Sequence, residues 1–291
     1  MTLSRSICRP LRTAATACLV LAGLLPAAAA VEGQRVPHDI VVDGDYTLRF
    51  LEDPEVGFID TLQVLKGEQL IYEGLFEAFL AMIEEPPGSE YGVLPLGLDV
   101  DATGDGRPDF VLQSYSGGAH CCYYTLVLER EPELAVLAEF DGANSPASLK
   151  NADDDLALEV HLRDWTFAYW KTSFDQSPAP EVILDLQDGA YVGSPELMRR
   201  PPPAQAALDL EIEAMRATLQ QAKQPTPALW GRMLDYIYSG NAETAFALLD
   251  RAWPEGLSGK ASFVLQFGAQ LSFSPYWDTI AEMNGWTSTE P

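Results

Sequence analysis

The sequence predicts a segregated α+β chain. A β-rich part over residues 31–200, propeller-like or a sandwich, precedes a small α-helical part over 204–291. Three observations carry this expectation. Short runs of β-branched and aromatic residues, punctuated by turn signals, fill the first part. Pro201-Pro202-Pro203 then forms an extended segment that continues neither a strand ladder nor a helix interior. Beyond it, apolar residues recur at three- and four-residue spacing.

Residues 1–30 read as a signal peptide. Arg5, Arg9 and Arg12 precede a short apolar core from Thr13 to Leu25, and Ala28-Ala29-Ala30 offers the small residues of a cleavage site. The apolar run is short for a membrane span, and Cys18 in mid-core argues against a lipid anchor. The chain is therefore expected to be exported, periplasmic or secreted, to start near Val31, and to make no stable membrane insertion.

Ile40-Val41-Val42, Tyr46 to Phe50, Thr61 to Leu65 and Gln69 to Tyr72 follow as strands, separated by Asp-Gly, Asp-Pro and Lys-Gly turns. Leu75 to Ile83 reads as a short helix. Tyr123–Glu129 with Leu134–Phe140 forms one expected hairpin, and Val182–Gln187 with Ala190–Val192 another, around Asp188-Gly189. In the helical part, Leu208, Ile212, Met215 and Leu219 mark one stripe within Ala206–Gln221. Thr226-Pro227 opens a helix to Ser239-Gly240, Asn241 starts one to Trp253-Pro254, and two more cover Ser258–Leu271 and Ser274–Gly285.

The most informative segment is Asp99 to Phe110. Oxygen-bearing side chains fall at Asp101, Thr103, Asp105 and Asp109, with Gly106 directly after the third. Alternate residues of a tight turn point inward, so the first three converge and a later carboxylate closes the cage around Ca²⁺. The closing acid stands at position nine and a strand follows, which excludes an EF-hand. A shift of 50 residues places Asn151, Asp153, Asp155 and Glu159 on the same four positions and aligns the following strands. A period of this length marks one supersecondary unit, giving repeats over about 95–145 and 146–195. The second loop is the weaker ion site, because Leu156 stands where the first loop has Gly106.

The run Asp101-Ala-Thr-Gly-Asp-Gly-Arg-Pro-Asp109-Phe-Val resembles the calcium loop of FG-GAP and VCBS-type repeats. Ser116–Cys122 and Asp164–Trp170 are similar to stretches of exported bacterial proteins that carry such repeats. The resemblance covers about residues 95–200 and implies β-propeller blades. It also implies ligand roles for Asp101, Thr103, Asp105 and Asp109, together with the Arg107 backbone carbonyl. The loop motif is fairly specific for calcium and a β-blade and says little about function.

Charge narrows the partners. The chain holds 43 Asp/Glu against 18 Lys/Arg, a formal charge of −25. Nucleic acid and anionic membranes would be repelled, whereas divalent cations or a basic partner would not. A hydrophobic content of 47% excludes a disordered acidic chain. Cys8 and Cys18 belong to the signal, leaving the neighbours Cys121 and Cys122. Three readings stand for this thiol pair: buried packing, a vicinal disulfide, or a soft-metal or redox site with His120. In Asp164–Trp170, a strand would align Trp165, Phe167 and Tyr169 on one face. That row, beside Asp164, is either a core stripe or a platform for a sugar ring. Ser116 and His120 lie close, but without the Gly-x-Ser-x-Gly elbow of a hydrolase; no zinc motif, P-loop or dinucleotide fingerprint occurs. The expected function is a non-catalytic protein- or glycan-binding module stiffened by Ca²⁺, with an extracytoplasmic, carbohydrate-active hydrolase as the alternative.

Overall fold

The computed structural model describes residues 35–79, 97–118, 121–153 and 155–286. The expected signal segment, residues 1–30, the stretch 80–96 and His120 lie outside them. The β-rich part consists of three four-stranded antiparallel sheets, each a sequential meander. The first is β1 (Val36–Val42), β2 (Tyr46–Asp53), β3 (Phe58–Lys66) and β4 (Gln69–Phe79). The second is β5 (Gly97–Val100), β6 (Asp109–Tyr115), β7 (Tyr123–Glu129) and β8 (Ala135–Ala143). The third is β9 (Ser148–Lys150), β10 (Glu159–Arg163), β11 (Glu181–Gln187) and β12 (Ala190–Gly193).

Side-chain alternation explains the layering. Tyr46, Leu48 and Phe50 of β2 are buried, as a period of two requires of a strand with one core face. Nearly all of β6 is buried. Phe110 and Leu112 face a core shared with the first sheet, whereas Val111 joins a larger core with the third sheet and the helices. The second sheet is thus the middle layer. Arg130 fastens it to the first: its buried guanidinium lies 4.7 Å from the Tyr46 ring centroid and 4.8 Å from that of Phe110, and pairs with Asp43 at 2.8 Å.

The expected helix at Leu75–Ile83 is a correction. Residues 75–79 belong to β4, with Thr61 pairing Leu75 and Ile59 pairing Ala78; 80–83 lie outside the described residues. Leu75 is exposed, Phe76 buried, Glu77 exposed and Ala78 buried, a two-residue period that the short apolar run concealed.

After the short helix α1 (Pro195–Met198), Pro201–Pro203 has no regular structure. Five helices follow: α2 (Gln205–Ala222), α3 (Pro227–Ile237), α4 (Ala242–Ala252), α5 (Lys260–Leu271) and α6 (Trp277–Asn284). Leu208, Ile212, Met215 and Leu219 are the buried stripe of α2, as the spacing predicts. Their core is continuous with Val160, Leu162, Val182 and Leu184 of the third sheet, so the helices cover that sheet. No helix among the described residues is long and apolar enough to cross a membrane.

Candidate metal loops and the neighbouring site residues

The two acidic loops occupy equivalent places in consecutive sheets. Residues 101–108 join β5 to β6, and 151–158 join β9 to β10. They also touch: Leu158 N donates to Ala102 O at 3.0 Å, and the Tyr191 hydroxyl of β12 donates to the same carbonyl at 3.3 Å. Gly104 makes this approach feasible. Its φ is +75°, and a Cβ there would lie 2.6 Å from Ala157 N, closer than real Cβ contacts allow. Gly106, singled out by the sequence pattern, has open space around it and is needed only for its φ of +84°.

Within the first loop the carboxylates organise the backbone. Asp101 Oδ1 accepts from Gly104 N at 2.7 Å and Asp105 N at 3.1 Å, and its Oδ2 accepts from Gly106 N at 2.8 Å. Asp105 Oδ1 accepts from Arg107 N at 2.8 Å. Asp109, buried at the start of β6, accepts from Ala102 N at 3.0 Å and Thr103 N at 3.2 Å. Burial raises the Asp109 pKa, partly offset by those backbone donors. The buried Thr103 hydroxyl lies near enough to favour the charged form of Asp109, but makes no well-formed hydrogen bond with a described residue. The donor set is all hard oxygen, which fits Ca²⁺. A carboxylate offers about four lone-pair positions, so these backbone contacts leave acceptor capacity for an ion.

The second loop follows another path. Leu156 is exposed and does not adopt the left-handed φ of Gly106. Asn151 Nδ2 donates to Asp155 O, and Asp155 Oδ1 accepts from Ala157 N at 2.8 Å. Both side chains therefore shape the turn. Glu159 matches Asp109: it is fully buried and accepts from Ala152 N. Burial raises its pKa, and the charges of Asp153 and Asp155 raise it further. Asp153, Glu159 and Asp185 present carboxylate oxygens all within 4.8 Å of one another. Asp185 lies in β11, outside the loop pattern, so sequence spacing gave no sign of it. The Tyr191 phenol is held protonated first by burial and then by Asp109, Glu159 and Asp185.

Cys121 and Cys122 are half-buried and joined as a vicinal disulfide. Cys122 N donates to Ser116 Oγ at 2.7 Å. Of the three readings the sequence left open for the pair, this arrangement is the vicinal disulfide, and neither cysteine belongs to the two hydrophobic cores.

The expected aromatic face is also a correction. β10 ends at Arg163, and 165–170 form turns, so no strand aligns the rings. Phe167 is 1% exposed and packs on Phe267 and Trp170. Trp165 is half-buried, stacked on Phe174 at 5.2 Å, and donates to Ser145 Oγ. Tyr169 is exposed, with its own ring contact to Phe174. Asp164 is buried and accepts from the Tyr238 and Ser274 hydroxyls of the helical part. These four residues do not share one open platform.

Among known proteins, the chain matches no family model, no curated sequence and no solved structure.

Proposed function

We propose that this is an exported calcium-binding β-repeat protein that serves as a non-catalytic module for a protein or glycan ligand. The observation that carries the reading is the placement of two loops, 50 residues apart, at the same strand junction of consecutive four-stranded meanders, in contact with each other. Three successive meanders also support a propeller-like arrangement of the β part. Asp101, Asp105 and Asp109 would supply carboxylates to Ca²⁺, with Thr103 and the Arg107 carbonyl completing the shell. The ion's work is structural: it offsets the mutual repulsion of the acids and fixes the loop that leads into the middle sheet. Export, expected from the leader, belongs to the same reading, since extracellular calcium modules work at binding constants of about 10⁻⁴–10⁻³ M.

Melting with calcium and with chelator tests it. With Ca²⁺ at about a hundred times its dissociation constant, linkage adds roughly 2.7 kcal/mol, and the melting temperature should rise clearly. The rise should shrink in Asp105→Ala, whose side chain is exposed and dispensable to the core. Identical melting of the native protein in calcium and chelator would remove the reading. Export has its own check: the intact mass of protein recovered outside the cytoplasm should correspond to a start at or near Val31. A full-length species held in the cytoplasm would contradict it.

A further inference from the structure

The three carboxylates of Asp153, Glu159 and Asp185 converge from the β9–β10 junction and the neighbouring strand β11. Asp153 sits in the β9–β10 loop, Glu159 opens β10, and Asp185 lies in β11. None of the three forms an ion pair among the described residues. Glu159 is 0% exposed, and its Oε1 has no hydrogen-bond partner among the described residues. A buried carboxylate oxygen normally has a donor or a cation. Among the described residues, Gln187 Nε2 donates to Asp185 Oδ2 at 2.9 Å, which leaves its second oxygen for another partner. Asp153 Oδ1 accepts from Asp155 N at 3.0 Å, which leaves its second oxygen for an ion, whereas Asp155 stands outside the 4.8 Å group and Asn151 Nδ2 donates to Asp155 O.

We propose that Asp153, Glu159 and Asp185 form a second hard-cation site, in which an ion bridges the 151–159 loop to β11. It rests on the calcium reading for the identity of the ion, but not on the first loop. The ligand set departs from the loop pattern: a carboxylate from the neighbouring strand replaces Asn151 and Asp155, and Leu156 no longer matters because the bridge does not need the left-handed turn. The ion would occupy the space facing Glu159 Oε1 and tie the β9–β10 loop, which touches the first loop at Ala102, to β11 of its own sheet.

Calorimetric titration of the full protein with CaCl₂, repeated with MgCl₂, tests this. Native protein should bind an ion at this site, and Asp185→Asn should lose it or weaken it on the order of tenfold or more. Asp153→Asn, at an exposed position, should do the same and guards against misfolding of the half-buried Asp185 variant. Asp105→Ala should keep this ion. A calcium stoichiometry and affinity unchanged in both Asp185→Asn and Asp153→Asn would overturn the site while leaving the first loop standing. Loss of all binding in Asp105→Ala alone would do the same. An ion retained in Asp105→Ala and lost in Asp185→Asn would support the site and remove the first loop. A native protein that binds no Ca²⁺ would remove both.

Discussion

Phe167→Ala should lower the unfolding free energy by about 3–5 kcal/mol, the range for truncating a fully buried aromatic residue. Phe167 lies 5.3 Å from Phe267 and 5.1 Å from Trp170, ring centre to ring centre, and Trp170 in turn meets Trp230 at 5.2 Å. This aromatic group joins the turn after β10 to α3 and α5, so the cavity would open between the third sheet and the helices. Tyr169→Ala, two residues on but 57% exposed, should change stability by roughly 0.5 kcal/mol or less. Urea midpoints for the two variants, with unchanged slopes, give the comparison. Equal effects would mean that the two rings share one environment, as the strand reading required.

Asp164→Ala should be comparably severe. Its carboxylate accepts from the Tyr238 hydroxyl at 2.5 Å, from the Ser274 hydroxyl and from Thr166 N at 2.8 Å. Hydrogen bonds to a charged acceptor contribute about 1.5–3 kcal/mol each. Removing the carboxylate would leave the Tyr238 hydroxyl buried, with the long 3.4 Å hydrogen bond to Ser274 Oγ still in place. A loss of about 3–5 kcal/mol follows, in line with breaking a buried polar network. Asp164→Asn retains an acceptor oxygen and should cost less. If Asp164→Ala left stability intact but abolished turnover of a sugar substrate, the residue would be catalytic and the structural assignment would fall.

Much of the fold was legible because its signals were local. The α2 stripe, the Thr226-Pro227 start and the two hairpins each lie within one element, where period and turn chemistry decide. The segments misread were those in which tertiary contacts decide. Leu75–Phe79 is strand because β3 pairs with it, although its four apolar residues fit either period. Asp164–Trp170 leaves β10 because Phe167 and Asp164 are drawn into the helical layer. The candidate site was half legible. Spacing identified both loops, and the absent second glycine correctly foretold a different path at Leu156. Gly104 was missed because its constraint comes from the other loop, 53 residues away at Ala157. Asp185 was missed because it reaches the acids only through the pairing of β10 with β11.

The central claim is that calcium occupies the acidic loops. A crystal structure of the protein grown with CaCl₂, recorded at a wavelength where calcium scatters anomalously, tests it most directly. The account predicts an anomalous peak about 2.3–2.6 Å from oxygens of Asp101, Asp105 and Asp109, and another facing Glu159 Oε1. Loops with their carboxylates still bonded only to backbone N–H groups, and no peak at either place, would contradict it.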